Sequence, residues 1–95
     1  MISFTVRMRF APEDREQVSE VLRKLTEASR KEPGCITYIP HEVADDPNTI
    51  LIYEQYRDQA ALDAHRASNH FRDHVIGGLY QWMKDRSAED LNALA

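Results

Sequence analysis

The chain predicts an α+β fold: one antiparallel sheet with helices on one face. Three observations predict it. Strict two-residue alternation runs through "ISFTVRMRF" near the N-terminus. Apolar residues recur at helical spacing in two later stretches, around 18–28 and 71–83. Between them lie two runs rich in β-branched and aromatic residues, separated by "DDPN", which reads as a hairpin.

In the first strand Ile2, Phe4, Val6, Met8 and Phe10 point one way, and Ser3, Thr5, Arg7 and Arg9 the other. Pro12 stands where a helix can begin, with Glu13 and Asp14 favoured at its positive end. Val18, Val21, Leu22, Leu25 and Ala28 form its apolar stripe, and Pro33-Gly34 stops it. Glu20–Lys24 and Glu27–Lys31 are i,i+4 pairs on its wet side. "CITYIPHEV" and "TILIYEQY" are the second and third strands, with the turn in residues 45–48. Asp58 caps a short helix through "QAALDAHRA". A further helical piece begins near Ser68, with Phe71, Val75, Leu79 and Met83 every four residues. Gly77-Gly78 inside it predicts a break or kink, since two helix glycines cost roughly 2 kcal/mol against alanine.

The order β-α-β-β-α, with a last strand possible in the tail, is that of a ferredoxin-like sandwich. Helix-facing residues include Phe4, Val6, Met8, Ile50 and Ile52. Leu51 and Tyr53 make the third strand apolar on its other face as well. A sheet with two partly apolar faces and one helix layer seeks a second sheet, and the natural partner is a second copy of the chain. With 95 residues the chain is one domain, 1–95, small enough that association is a common source of stability.

Composition excludes several classes. The chain is 42% hydrophobic and 29% charged, with a net charge of −4, which argues against a nucleic-acid-binding face. No apolar run approaches the ~20 residues of a membrane span. The alternating N-terminal residues lack the apolar block of a signal peptide, so the expected location is cytoplasmic. Cys35 is the single cysteine, reads as a small buried hydrophobe, and has no adjacent base to make it a nucleophile. No phosphate-cradling glycine motif is present, so no nucleotide is expected.

"EPGCITY" at 32–38, "DDPN" at 45–48, "YEQYRDQAALDAH" at 53–65 and "SNHF" at 68–71 together resemble the antibiotic biosynthesis monooxygenase family, over residues 2–83. The resemblance implies a dimeric α+β barrel of the ferredoxin-like type, a last strand within residues 86–94, and a pocket between sheet and helices. The family's branches include cofactor-free oxygenases of quinols and polyphenols, heme-degrading oxygenases, and an isomerase of a small phosphorylated diketone. The heme branch is disfavoured. The chain has no asparagine before Asn48, His65 stands at the tryptophan position, and Val75 stands at the histidine position with His74 one residue off.

The candidate site residues follow. Glu54 and Tyr56 alternate with Ile50 and Ile52, so they also point under the helices. A carboxylate there needs a partner, and His65 on the next helix is available. A polar pin between helix and sheet explains the same pair. His70 begins the next helical piece beside the expected pocket mouth. His70 and His74 are four apart, as metal ligands can be, but no third ligand is evident, so no metal is expected. Tyr38 and Phe71 within the same motifs, and Trp82 after the glycine pair, are candidate ligand contacts, though Trp82 also suits core packing.

The expected chemistry is a cofactor-independent oxygenation of a quinol or polyphenol-like aromatic. His65 takes the phenolic proton, Glu54 orients it, and Tyr56 or His70 donates to the reduced oxygen species. The alternatives are isomerisation of a small, phosphorylated carbonyl compound, with a histidine base and a cation for the phosphate, and a dimeric protein that binds a small ligand without turnover.

Overall fold

The computed structural model describes residues 1–95. Four strands, β1 (Ile2–Arg9), β2 (Cys35–Val43), β3 (Asp46–Tyr56) and β4 (Asp85–Leu91), form one antiparallel sheet in the order β2-β3-β1-β4. That is the ferredoxin-like arrangement. The helices α1 (Arg15–Arg30) and α2 (Gln59–Arg66), a π-helix (Phe71–Leu79) and the short α3 (Tyr80–Trp82) complete the fold.

The alternation in β1 decides which face of the sheet is covered. Phe4, Val6, Met8 and the following Phe10 are buried, opposite Glu54, Ile52 and Ile50 of β3. Val18, Leu22 and Leu25 of α1, Ala61 and Leu62 of α2, and Val75 and Leu79 of the π-helix close over them. Asp58 caps α2 as its sequence predicts, its Oδ1 accepting from Ala61 N–H at 2.9 Å. Glu20–Lys24 and Glu27–Lys31 pair at 3.3 and 3.6 Å on the exposed side of α1.

Three details depart from expectation. Pro12–Asp14 form a 3-10 turn, and the α-helix proper begins at Arg15. The hairpin turns at Ala44-Asp45, and β3 already starts at Asp46. Asp46 explains the shift: its carboxylate accepts from Thr49 Oγ1 at 2.6 Å and from Asn48 N at 3.3 Å, and a bulge at Glu42/Val43 absorbs the extra residues. Ser3, expected on the wet side, is buried because β1 is a central strand, and it accepts from Gln55 Nε2 at 3.3 Å.

The glycine pair does not break its helix. The backbone stays helical from Asn69 to Trp82, and Phe71–Leu79 take the wider π form. β4 lies within one residue of the range that the resemblance implied. Each of its residues is exposed, and it pairs with β1 from Arg9↔Asp85 to Ser3↔Leu91. An ion pair from Arg9 to Asp85 at 2.8 Å fastens its start. The opposite sheet face, with Thr5, Ile39, Leu51, Tyr53 and Leu91, is covered by no element of the chain. No helix is long and apolar enough to cross a membrane.

Candidate functional site

β3 delivers a carboxylate into the core. Glu54 sits between Phe4 on β1 and Tyr38 on β2, and it is 6% exposed. Tyr56, two residues on, shares its face and donates its hydroxyl to Glu54 Oε1 at 2.6 Å. Burial raises the Glu54 carboxyl to about 7, against the lowering pull of the Tyr56 hydrogen bond and the Arg66 charge. Burial, followed by the neighbouring Glu54 charge, pushes the Tyr56 phenol far above its usual range.

α2 brings His65 over this pair. Its ring lies 5.0 Å from that of Tyr56, 5.8 Å from Tyr38 and 5.3 Å from Phe71. His65 Nε2 stands 3.7 Å from Glu54 Oε1, too far for a direct hydrogen bond. The strong partner of His65 is Glu32, whose Oε2 accepts from Nδ1 at 2.8 Å. A carboxylate only accepts, so Nδ1 carries the proton, and the neutral ring keeps its lone pair on Nε2, on the side of Glu54. Burial lowers the affinity of His65 for a second proton, with Glu32 acting in the opposite sense.

Glu32 is the residue that the sequence reading missed. It sits in the connection between α1 and β2, inside the "EPGC" motif, and Gly34 makes its position possible. A Cβ at Gly34 would stand 2.3 Å from the Ala61 Cβ on α2. Only glycine lets this connection lie against α2, where Gly34 O accepts from Arg57 N at 2.8 Å.

His70 also turns to Glu32, its Nε2 donating to Oε2 at 2.5 Å. Its imidazole therefore faces the carboxylate and is not part of the cavity lining. The ligand atoms of Glu32, His65 and His70 lie within 4.8 Å of one another, and this is the set that could hold a metal ion. His74, four residues beyond His70, is not part of the set. The third donor comes from a loop far upstream.

Beside Glu54 and His65 lies a cavity of about 40 Å³. Val6, Met8, Ile52, Leu62, Val75 and Leu79 give it apolar walls, with Tyr38, Phe71 and Tyr80 as aromatic contacts. Arg66 and Arg86 bring two cations to its edge, and the Arg86 guanidinium lies 5.8 Å above the Tyr80 ring. Neither arginine stood out in the sequence. As it stands the cavity holds a water or two, not an aromatic ring. Of the expected ligand contacts, Tyr38 and Phe71 line it. Trp82 does not: it packs on Gly78 and the core, near Val21. A larger open groove of about 690 Å³ runs between α1 and the β2–β3 hairpin, but reaches none of Glu32, Glu54 or His65. Cys35 has no base beside it, and burial together with Glu32 and Glu54 raises its thiol to about 11, which leaves it inert.

The family profile described as "Antibiotic biosynthesis monooxygenase" matches residues 1–75. The chain is 34% identical over 68 residues to the sll1783 protein of Synechocystis, covering 72% of this chain and 46% of that protein. It is 31% identical over 78 residues to YcnE of Bacillus subtilis, covering 82% of each. A crystal structure of an antibiotic biosynthesis monooxygenase superposes with a TM-score of 0.92 at 28% identity, covering 100% of both chains.

Proposed function

The chain belongs to the antibiotic biosynthesis monooxygenase family, and we propose that it is a cofactor-independent monooxygenase of a quinol or polyphenol-like aromatic. The observation that carries the reading is the set of His65 contacts. A buried imidazole is held by a carboxylate through Nδ1, and its Nε2 lies on the side of Glu54, beside a largely apolar cavity that both residues line. This is how a general base is oriented, with Glu32 in the role that the sequence assigned to Glu54.

In this reading His65 Nε2 takes a phenolic proton, and the phenolate, now electron-rich, reduces dioxygen. One oxygen atom enters the ring and the other leaves as water, so a hydroquinone becomes a hydroxyquinone. The substrate supplies all four electrons, and no flavin, heme or metal is needed. Arg66 and Arg86 offset the negative charge that develops on substrate and oxygen. Tyr56 and Glu54 hold the proton returned to the reduced oxygen, since a carboxyl near 7 both accepts and donates around neutrality. His70, bound to Glu32, steadies that carboxylate from the solvent side.

An aromatic substrate has to widen the cavity. The rim is made by Phe71 and Tyr80, both half-buried, and by Arg86 of the exposed β4. Phe71 begins the π-helix, a form that recurs at functional sites.

The two arginines and the small cavity also favour a second reading, isomerisation of a small phosphorylated carbonyl compound. His65 would then move a proton alpha to the carbonyl, and the arginines would hold the phosphate. Oxygen uptake with a panel of hydroquinones decides between the two. Uptake with stoichiometric hydroxyquinone supports the first. Solvent proton exchange into a carbonyl compound without oxygen uptake supports the second. Ligand-induced thermal stabilisation with neither would mark a binding protein.

A further inference from the structure

We propose that Glu32, His65 and His70 form a binding site for a divalent cation of the zinc class, with a fourth position open to solvent. The three donors converge from the α1–β2 connection, the last turn of α2 and the start of the π-helix. Two imidazoles and one carboxylate are one of the donor sets found in three-ligand zinc centres. With bonds of about 2.0–2.1 Å, tetrahedral ligand atoms stand about 3.3 Å apart. Glu32 Oε2 is 2.8 Å from His65 Nδ1 and 2.5 Å from His70 Nε2. Entry of a cation therefore opens these two contacts by roughly half an ångström to one ångström as it takes the place of the protons between them, each ring then carrying its one proton on the other nitrogen.

The surroundings permit that opening. His65 is fixed among the rings of Tyr38, Tyr56 and Phe71, whereas Glu32 lies on an irregular connection and His70 at a helix start. Two donors adjust around one rigid anchor. Glu32 Oε1 is buried and has no hydrogen-bond partner. A chelating carboxylate, or water on the cation, satisfies that atom. A cation on Nδ1 selects the other neutral tautomer, so the single ring proton of His65 moves from Nδ1 to Nε2, which faces Glu54 Oε1 at 3.7 Å. That places a carboxylate behind a liganding histidine, the arrangement that orients such ligands in metal sites. His70 and Glu32 are each partly exposed, so a cation reaches the site from solvent.

The proposed oxygenation does not use this cation. A loaded His65 has no lone pair on Nε2, so cation binding and general-base action exclude one another. The site is tested by binding alone, whatever the outcome of the activity assay. The chain, stripped with chelator, is titrated with Zn²⁺ by calorimetry and with Co²⁺ by visible absorption. The expected result is one cation per chain, with the intense bands of four-coordinate Co²⁺. Glu32→Gln and His70→Ala should each weaken binding by more than the roughly 10–100-fold that loss of an outer hydrogen-bond partner costs, while Glu54→Gln falls within that range. His74→Ala should bind as the parent does. Melting curves establish that each variant is folded. Binding well below one equivalent would overturn the proposal. So would full affinity in Glu32→Gln, or equal losses in His74→Ala and His70→Ala.

Discussion

Glu32 and His65 stand 33 positions apart in the chain, yet Glu32 Oε2 and His65 Nδ1 are 2.8 Å apart in the fold. This contact, more than the 3.7 Å approach of Glu54, sets the tautomer of His65, with the proton on Nδ1 and the lone pair on Nε2.

Removal of the base comes first. His65→Gln keeps much of the side-chain volume among Tyr38, Tyr56 and Phe71 and removes the imidazole. On a hydroquinone that the parent oxidises, kcat should fall by about 10²–10⁴-fold with the fold retained. Oxygen-electrode rates paired with melting curves check this. Unchanged turnover, or a loss explained by unfolding, would return the cluster to a structural pin.

The two carboxylates should separate by role. Glu32→Gln removes the acceptor that orients His65, so it should slow turnover more than Glu54→Gln does. Nitrogen-15 NMR of the His65 ring gives an independent readout. The parent should show the proton on Nδ1, and Glu32→Gln a mixture of tautomers. An Nε2-protonated parent would contradict this assignment.

Stability should carry the mark of the raised Glu54 carboxyl. Folding moves it from the ordinary value of 4.5 to about 7, so between these pH values the folded state binds more protons than the unfolded state. Its contribution to stability is therefore full below 4.5, is lost as pH rises toward 7, and is constant above. The lowered His65 works the other way below 6.5, where the unfolded chain takes up the proton more readily and stability rises with pH. Glu54→Gln removes only the first effect. Its unfolding free energy relative to the parent, followed by denaturant melts, should climb from pH 5 to pH 8 by an amount on the order of 3 kcal/mol at most. A flat difference would show that the carboxyl titrates normally.

Gly34→Ala should be costly for its size. The new methyl meets Ala61 Cβ at 2.3 Å, and neither side chain can rotate away. Overpacking of this kind costs about 1–3 kcal/mol, or a melting temperature lower by at least about 4 °C. Adding Ala61→Gly should recover part of the loss, since the two positions are in contact. Additive losses would show that the clash is not the cause.

Association should follow from the uncovered sheet face. Light scattering is expected to give about twice 11.0 kDa, and Tyr53→Asp, in the middle of that face, should shift it toward the monomer. A parent that stays monomeric at micromolar concentration would refute the pairing.

Much of the fold was legible in the chain because local periodicity carries it. The alternation in β1 fixes its buried face, Asp58 caps α2, and the two-residue spacing of Glu54 and Tyr56 places both under the helices whatever lies above. β4 was not legible, because every residue in it is exposed. Its pairing with β1 uses backbone groups that all residues share, so no side-chain pattern records it. The π-helix was hidden for a related reason. Apolar residues four apart suit both the 3.6-residue α-turn and the longer turn closed by i→i+5 bonds, so Phe71, Val75 and Leu79 do not distinguish them. The site depended most on tertiary structure. Glu32 reaches His65 only because the α1–β2 connection packs directly on α2, through a glycine that looked like a mere helix stop. Sequence spacing says which side chains share a face of one element. Which faces meet, and whether a carboxylate 33 residues away completes a histidine, is decided by the packing of the whole core.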